Sequence, residues 1–322
     1  MGKKKTPLEW AYEHTENLRK AKENLMSLSV SNKIINYIKS LDDSEYKPGY
    51  WTILKNISLA YCINPFVVIL KSHNMKDTIF LDLFSGSGIT PLKGINTDEH
   101  KWIVGSPIIA SRMTNYPYQK YIFGDINKNS LDLLSQILKC QNDNSNSKIR
   151  YNILPPNDAN KNFEMLHNQI KNRYVFAYID PTGFQWNWES MEQLIKFRRF
   201  DILMNFQTRE IDRSTTTDRI KQFFGPYSNK LDECKNCDEK LGLYIKQLND
   251  SGLYVNSVRI GKDRTNQYYY HLIHISRKNT YSNILTDLKQ WIEVFSGETI
   301  KKVWNDLDRD IRQKSILNNF NK

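Results

Sequence analysis

The sequence has few cysteines and lacks any long hydrophobic run. Four cysteines in 322 residues are too few for the disulfide framework of a small secreted domain. Apolar runs such as Phe66–Leu70 are far shorter than the roughly 20 residues that cross a bilayer. No apolar stretch follows the charged segment Met1–Lys5, which argues against a secretory signal. We therefore expect a cytoplasmic protein without a membrane anchor.

The composition is that of a folded, basic protein. Apolar residues make up 39% of the chain and aromatic residues 12%, which suffices to close a core and excludes a mainly disordered chain. A length of 322 residues suits one large α/β domain with additions, or two small domains. The net charge of +11 attracts polyanions such as nucleic acid or an anionic membrane surface, although a Lys- and Asn-rich chain can also carry a merely solvated basic surface.

Short strand-like runs alternate with helical stretches through the middle of the chain. Strands are predicted at 79–84, 121–123, 151–154, 175–179 and 201–206. Helices are predicted at 8–40, at 51–70 with an interruption at Pro65, at 130–139, at 189–197 and at 283–320. The runs 254–259 and 268–276 flank a polar turn and predict an antiparallel hairpin. This order predicts an α/β fold whose mainly parallel sheet carries helices on both faces.

Acidic residues follow four of the predicted strands. They are Asp82, Asp125, Asp158 and Asp180. Because ligands of open α/β sheets bind outside the carboxyl ends of the strands, we expect these side chains on one rim. Any one of them could instead be a helix N-cap, where Asp is favoured for structural reasons. Four in succession favour a ligand site.

The strongest local signal is Leu81–Gly88, which reads Leu-Asp-Leu-Phe-Ser-Gly-Ser-Gly. Glycines let the backbone turn sharply and approach a ligand, and a helix after them would offer free N–H groups. A dinucleotide fingerprint requires a third glycine where Pro91 stands, and the Gly-Lys-Ser/Thr of a P-loop is absent. S-adenosylmethionine needs only a close glycine turn and an acid one strand away for its ribose. Asp125 is such an acid.

A second motif, Ile179–Phe184, ends the fourth predicted strand. The Asp180 carboxylate or a backbone carbonyl can accept the protons of an amino group, which aligns the nitrogen lone pair with a methyl donor. The aromatic residue after Asp-Pro can stack on a base presented to the site. An ordinary Asp-Pro turn after a strand is the alternative interpretation.

Four pieces of sequence together resemble a known family. They are Trp51–Lys55, Phe80–Gly88, Gly105–Ala110 and Tyr178–Phe184. In this order they resemble the three-Cys-motif partner proteins (TcmP), bacterial proteins with a class I methyltransferase-like fold. More distantly they are similar to the ribosomal-RNA adenine-N6 methyltransferases that carry a Tyr-Pro-Gly-Ser-Pro segment. The 43 residues between Asp82 and Asp125 are about twice the roughly 20 usual for a glycine loop and its ribose acid, and Gly-Ser-Pro lies in that insertion.

The resemblance implies a Rossmann-like class I methyltransferase fold with S-adenosyl-L-methionine as cofactor. It divides the chain into an N-terminal helical extension (1–76), a methyltransferase-like α/β domain with the hairpin (77–282) and a C-terminal helical segment packed on that domain (283–322). The implied partners are a nucleic acid, RNA or DNA, and a protein encoded nearby. No membrane partner is expected.

Individual site residues also follow from the resemblance. The methionine side of the cofactor would be lined by Asp82, Phe84, Ser85, Gly86 and Gly88. The pocket wall would be Gly105, Ser106 and Pro107; Asp125 would bind ribose and Asp158 would approach the adenine amino group. Lys55 would meet the cofactor carboxylate as a point charge, unless it is an exposed helix lysine. The catalytic motif would be Asp180, Pro181, Thr182, Gly183 and Phe184.

The catalytic motif departs from the Asp/Asn-Pro-Pro-Tyr/Phe of adenine amino-methyltransferases. Thr182 replaces the second proline, Gly183 stands where the aromatic is expected, and Phe184 comes one position late. Asp-Pro-x-Gly resembles instead the motif of some tRNA guanine-N2 methyltransferases. We therefore expect methyl transfer to an exocyclic amine of a nucleic-acid base, adenine N6 or guanine N2. The alternative is a catalytically degenerate, nucleic-acid-binding partner protein with the same fold.

Two further features give weaker signals. Cys234 and Cys237 could form half a zinc site or a redox pair, but Cys62 and Cys140 are isolated, so we expect no metal. Arginines after the fourth helix and the fifth strand could follow a phosphate backbone, although interspersed acids also suit a solvated helix face. These arginines are Arg198, Arg199, Arg209 and Arg213.

Overall fold

A computed structural model of the chain describes residues 5–41, 49–92, 102–208, 211, 217–262, 268–279 and 282–307. Its nine strands are β1 (Thr78–Asp82), β2 (Ile89–Pro91), β3 (Trp102–Val104), β4 (Lys120–Phe123), β5 (Tyr151–Ile153), β6 (Tyr174–Ile179), β7 (Phe200–Phe206), β8 (Tyr254–Lys262) and β9 (Tyr268–Ser276). Seven of them form one sheet in the order β5-β4-β1-β6-β7-β9-β8. Strands β5, β4, β1, β6 and β7 are parallel, and β9 is antiparallel to both β7 and β8.

Helices cover both faces of this sheet. They are α1 (Pro7–Met26), α2 (Ser31–Ser40), α3 (Trp51–Ser72), α4 (Ser106–Arg112), α5 (Lys128–Asp143), α6 (Ala159–Ile170), α7 (Trp188–Ile195), α8 (Asp218–Phe224), α9 (Cys237–Asp250) and α10 (Ser282–Ile292). A 3₁₀ helix spans Gly225–Glu233, and residues 297–307 are helical. The strand order and directions confirm the predicted Rossmann-like class I methyltransferase fold, a mainly parallel sheet with a C-terminal antiparallel hairpin.

Alternating side chains of the central strands build two core layers. Phe80 on β1 and Phe176 on β6 pack toward the layer that contains α1, α3 and α5. Their neighbours Ile79 and Val175 pack on the other side with α6 and α7. This two-residue period, with both faces buried, explains why the strands read as continuous apolar runs.

Two local expectations are wrong. The helix at 51–70 is not interrupted at Pro65; α3 continues through it, because proline removes only one backbone donor while the buried apolar side chains of α3 still hold the helix in the core. No helix follows Gly88 either. Residues Ile89–Pro91 form β2, which pairs antiparallel with β3 in a small separate sheet. That hairpin and α4 occupy the long insertion between β1 and β4.

Helix α3 is long and apolar enough to cross a membrane by length and composition alone. Of its most apolar 18-residue window, 61% is buried inside the protein. Ile57, Ile63 and Phe66 are fully buried in the layer beneath the sheet. This pattern is that of a core helix.

The strand order reverses beside β1. The chain runs from β1 outward to β4 and β5, then returns to β6 on the other side of β1 and continues to β7. In open α/β sheets the crevice at such a reversal is where ligands bind. The carboxyl ends of β4 and β6 bring Asp125 and Asp180 to this crevice, and Asp82 at the end of β1 is buried beneath it.

Candidate functional site

An open cleft of about 560 Å³ lies at the carboxyl ends of the parallel strands; we call it the strand-end cleft. Of the residues predicted to form a site, eight line it directly and several lie behind its wall. Those that line it are Lys55, Phe84, Gly86, Asp125, Asp158, Asp180 and Pro181, together with Thr182. Its volume is within the range of about 300–1,000 Å³ typical of small-molecule sites.

The glycine turn forms one wall of the strand-end cleft. Gly86 has φ +54° and Gly88 has φ +77°, a left-handed backbone that glycine adopts without strain. A Cβ on Gly86 would meet nothing within 4 Å, so this glycine faces the open cleft. A Cβ on Gly88 would come within 2.8 Å of Leu134 Cδ1, so Gly88 is needed for packing against α5 instead.

Asp82 lies beneath the turn rather than in the cleft. It is fully buried, and its carboxylate accepts the N–H of Phe84 at 3.0 Å and the hydroxyl of Ser106 at 2.6 Å. Burial raises the pKa of Asp82 to about 7, although both hydrogen bonds act to lower it. The structure therefore gives Asp82 the role of tying the glycine turn to α4.

The Gly-Ser-Pro segment packs against the back of the same turn. The Gly105 N–H donates to the Gly88 carbonyl at 2.8 Å, and a Cβ on Gly105 would lie 3.1 Å from the Gly88 carbonyl carbon. Ser106 and Pro107 are buried in the first turn of α4. These three residues support the wall from behind and do not line the cleft.

Asp125 connects the end of β4 to the glycine turn. One carboxylate oxygen accepts the Gly86 N–H at 2.9 Å, and the other accepts the Asn127 N–H at 2.8 Å. Ser85 binds the same strand end, because its N–H and its hydroxyl both donate to the Gly124 carbonyl at 3.0 Å. A carboxylate has about four acceptor positions, so Asp125 keeps capacity for a ligand hydroxyl.

Asp158 is the N-cap of α6 and also lines the cleft. Its carboxylate accepts the Asn160 N–H at 2.9 Å. Asp158 therefore has the helix-capping role that the sequence left open as an alternative. It also lies at the rim of the cleft with Asp125.

Asp180 is held from two sides. Lys55 Nζ donates to one carboxylate oxygen at 2.6 Å, and Asn205 Nδ2 donates to the other at 2.7 Å. The side chains of Lys55 and Asp180 are only 12% and 17% exposed, which strengthens this ion pair relative to a surface pair. Next to it, Gln207 Nε2 donates to the Pro181 carbonyl at 2.8 Å.

Beyond Thr182, the Asp-Pro motif turns away from the cleft. Thr182 Oγ1 accepts a hydrogen bond from Gln185 Nε2 at 2.8 Å. The Phe184 ring packs edge-on against Phe223 of α8, with ring centroids 5.4 Å apart. Gly183 and Phe184 therefore lie outside the cleft lining.

Several lining residues were missed by the sequence motifs. Ile126, 74% exposed, offers an apolar surface directly after Asp125, and its position next to that acid was the available signal. Tyr270 comes from β9 and accepts a hydrogen bond from Trp51 Nε1 at 2.7 Å. Gln207, directly after β7, also lines the cleft, and Asn205 of β7 is buried behind it. Nothing local to Tyr270 pointed to a site, because only the sheet brings β9 near β1.

Arg198 and Arg199, two of the four arginines predicted to follow a phosphate backbone, are not among the residues that line the cleft. Arg198 and Arg199 are exposed and precede β7, whose amino end lies at the rim opposite Asp180. Arg209 and Arg213 lie outside the described residues. Cys234 and Cys237 are not joined by a disulfide bond, and within the described ranges no group of three or more His, Cys, Asp or Glu could hold a metal ion.

Comparison with known proteins gives only distant similarities. No family model matches the chain, and no curated protein matches it. Protein LPL1258 of Legionella pneumophila, from family DUF519, has a TM-score of 0.44 and 13% identity over 76% of this chain and 92% of that chain.

Two methyltransferase-related structures are also similar. The methyltransferase domain of bacterial Hen1 has a TM-score of 0.38 and 13% identity, covering 68% of this chain and 98% of that domain. A proposed RNA methyltransferase of Pyrococcus horikoshii has a TM-score of 0.31 and 9% identity, covering 77% and 96%. The strand order β5-β4-β1-β6-β7-β9-β8, with its antiparallel C-terminal hairpin, is that of a methyltransferase fold.

Proposed function

We propose that the protein is an S-adenosylmethionine-dependent methyltransferase acting on an exocyclic amine of a nucleic-acid base, adenine N6 or guanine N2. The observation that carries the proposal is the meeting of three features at one cleft. These are the glycine turn at Gly86, the ribose-type acid Asp125 and the amine-type acceptor Asp180 with Pro181.

The residues of the strand-end cleft fit S-adenosylmethionine. Gly86 leaves open space where a Cβ would project, so its backbone can approach the methionine part. Asp125 can accept ribose hydroxyls, Ile126 offers an apolar face for the adenine ring, and Lys55 carries the charge that a carboxylate requires. When bound, the cofactor supplies an electrophilic methyl group.

Asp180 would hold the target amine. Its carboxylate can accept the amine protons and thereby direct the nitrogen lone pair toward the methyl group. Both of its oxygens already accept hydrogen bonds, from Lys55 and Asn205. Asn205 and Gln207 would act as positioning residues, because they orient Asp180 and the Pro181 carbonyl without reaching the base themselves. Phe184 is turned away, so a stacked base would meet the cleft rings of Phe84, Tyr37 or Tyr270.

We extend the proposal to the partners and organisation of the chain. RNA or DNA would be the substrate, a protein encoded nearby would be a partner by family resemblance, and the site of action would be the cytoplasm. The division at residues 76 and 282 into an extension, a catalytic domain and a C-terminal segment stays a prediction. It is supported by the observation that the elements described before β1 are the helices α1, α2 and α3.

One observation favours a second candidate, a nucleic-acid-binding partner protein without catalysis. The acceptors needed to grip an amine, Asp180 and the Pro181 carbonyl, are engaged by Lys55, Asn205 and Gln207. A pocket that has lost its chemistry could keep such a closed network.

Two measurements on the purified full chain separate the candidates. Isothermal titration with S-adenosylmethionine tests the cofactor, and transfer of labelled methyl to cellular RNA and DNA, offered separately, tests the reaction. Binding together with transfer to one pool is the expected result. Nucleic-acid binding without cofactor binding and without transfer would replace the enzyme by the partner protein.

A further inference from the structure

A second cleft, of about 500 Å³, lies between α1, α3 and the end of α4; we call it the helix cleft. Its α1 wall includes His14, Lys20 and Asn24, and its α3 wall includes Tyr61 and Asn64. Its size is comparable to that of the strand-end cleft. None of the residues proposed for methyl transfer takes part in it.

The charge of the helix cleft is of one sign. Arg112 and Lys20 line it, and no Asp or Glu is among its described lining residues. The four acids of α1 have partners outside the cleft lining: Glu9 accepts the Thr6 N–H, Glu13 pairs with Lys5, and both Glu16 and Glu23 pair with Arg19. The cleft is therefore a local concentration of the positive charge of the chain.

Arg112 is only partly exposed, yet it has no carboxylate partner among the described residues. Its guanidinium donates to Asn142 Oδ1 at 2.7 Å, to the Ser147 carbonyl at 3.1 Å and to Ser145 Oγ at 3.4 Å, which are all neutral acceptors. Partial burial of a cation without a counter-charge is unfavourable, and it lowers the pKa of Arg112. An anion in the cleft would relieve this cost.

The walls also carry groups suited to a base. Pro65 has no N–H, so the Tyr61 carbonyl on the α3 wall lacks its usual helical donor. The rings of Tyr61 and His14 meet edge to face with centroids 5.9 Å apart. Rings and carboxamides such as that of Asn24 stack on bases and bind their edges, whereas an acidic peptide would use only the cations.

The helix cleft is separate from the strand-end cleft because α3 lies between them. With 3.6 residues per turn, Thr52 and Lys55 point to one side of α3, and Ala60, Tyr61 and Asn64 point to the other. A ligand in one cleft does not occupy the other.

We propose that the helix cleft binds a segment of single-stranded nucleic acid, with Lys20 and Arg112 contacting phosphate and Tyr61 contacting a base. This rests on the proposed function only in taking nucleic acid as the substrate class. Binding in the helix cleft requires neither the cofactor nor Asp180. The segment bound here is a part of the strand other than the one that carries the target base.

Fluorescence anisotropy with labelled 12-nucleotide RNA and DNA strands, without cofactor, tests the inference. Lys20→Gln removes one phosphate contact and should weaken binding roughly three- to tenfold while lowering the salt slope by about 0.7. The matched control is Lys33→Gln, an exposed lysine of α2 outside the cleft that changes the net charge equally. It should change affinity less than twofold.

A second measurement locates the strand directly. A strand carrying 5-bromouridine, irradiated on the full chain, should crosslink to Tyr61, and Tyr61→Leu should abolish that adduct. Equal affinities for the two glutamine variants, or crosslinks confined to residues outside the helix cleft, would overturn the inference. Equal competition by a poly-glutamate peptide of the same charge would overturn the choice of nucleic acid.

The outcome is independent of the methyl-transfer proposal. If the wild type binds no S-adenosylmethionine but Lys20→Gln still weakens strand binding, the proposed function fails and the helix cleft stands. If transfer occurs normally in Lys20→Gln with unchanged strand affinity, the helix cleft fails and the proposed function stands.

Discussion

The two clefts on either side of α3 have similar volumes and opposite chemistry. Among its described lining residues, the strand-end cleft has the carboxylates Asp125, Asp158 and Asp180 and one cation, Lys55, which is paired to Asp180. The helix cleft gathers Lys20, Arg112 and His14 without an acid among its described lining residues. The first is suited to hydroxyls, amines and a cationic cofactor, and the second to phosphate. The volumes of the two clefts do not distinguish them, whereas the charges of their lining residues do.

The largest expected effect separates catalysis from binding within the strand-end cleft. Asp180→Ala should lower methyl transfer by more than about a hundredfold, since misplacing a reacting group by about 1 Å already costs that much. Binding of S-adenosylmethionine should stay within a few-fold of the wild type. Lys20→Gln should affect transfer far less at saturating nucleic acid. Transfer by Asp180→Ala at the wild-type rate would remove this residue from the mechanism.

Next in size is the loss of cofactor binding at the glycine turn. Gly86→Val places a side chain in the cleft and should weaken binding of S-adenosylmethionine by about a hundredfold, or roughly 2.7 kcal/mol. The control is Gly252→Val, because Gly252 has φ +76° and open space around its Cβ but lies outside the cleft. Both variants carry similar backbone strain, so calorimetric titration of the pair isolates the cleft contribution. Equal affinities in both would contradict the assignment.

A smaller effect is expected at the ribose acid. Asp125→Ala should weaken cofactor binding at least about tenfold, because hydrogen bonds to a charged group contribute about 1.5–3 kcal/mol. Asp125→Asn keeps an acceptor for the Gly86 N–H and should lose less. If Asp125→Asn binds the cofactor as tightly as the wild type in titration calorimetry while Asp125→Ala does not, the side chain serves only the glycine turn.

The smallest effect is the pH dependence of stability at two titratable groups, the buried Asp82 beneath the glycine turn and the partly buried His14 in the helix cleft. Burial raises the pKa of Asp82 from its ordinary 3.8 to about 7, so its contribution to stability is full below about pH 4 and is lost as pH rises through 7. Burial lowers the pKa of His14, so its contribution is full above pH 6.5 and is lost as pH falls. Each slope is at most about 1.4 kcal/mol per pH unit.

Urea unfolding of the wild type, Asp82→Asn and His14→Gln between pH 4 and 8 measures these slopes. The free energy of unfolding of the wild type minus that of Asp82→Asn should decrease with rising pH. The corresponding difference for His14→Gln should increase. If both free-energy differences changed in the same direction with rising pH, at least one of these groups would not be buried as described.

Most of the framework of the strand-end cleft is encoded locally. Strands β1, β4 and β6 are apolar runs that end at or just before Asp82, Gly124 and Asp180, and such runs are readable because both faces of these strands are largely buried. The hairpin β8–β9 was predicted from a different signal, two strand-like runs that flank a polar turn. Asp82 illustrates the limit: the motif placed it with the cofactor, while in the fold it is buried against Ser106.

Contacts between distant segments could not be predicted in this way. Lys55 and Asp180 are 125 residues apart, and Trp51 and Tyr270 are 219 apart, yet each pair is hydrogen bonded. The helix cleft belongs to the same class, since it exists only because α1 packs beside α3 and α4. No periodicity in one helix reports which other helix it will face.

The sequence by itself determined the parallel strands, the acids at their ends and the glycine turn, because strand period and positive-φ glycines are local properties of the chain. The tertiary structure decided which of these acids is exposed to ligand, which cation is paired with Asp180, and that a second, purely basic cleft exists. The physical reason is that burial and charge pairing depend on neighbours brought together by the sheet reversal beside β1 and by the packing of α3 between two layers.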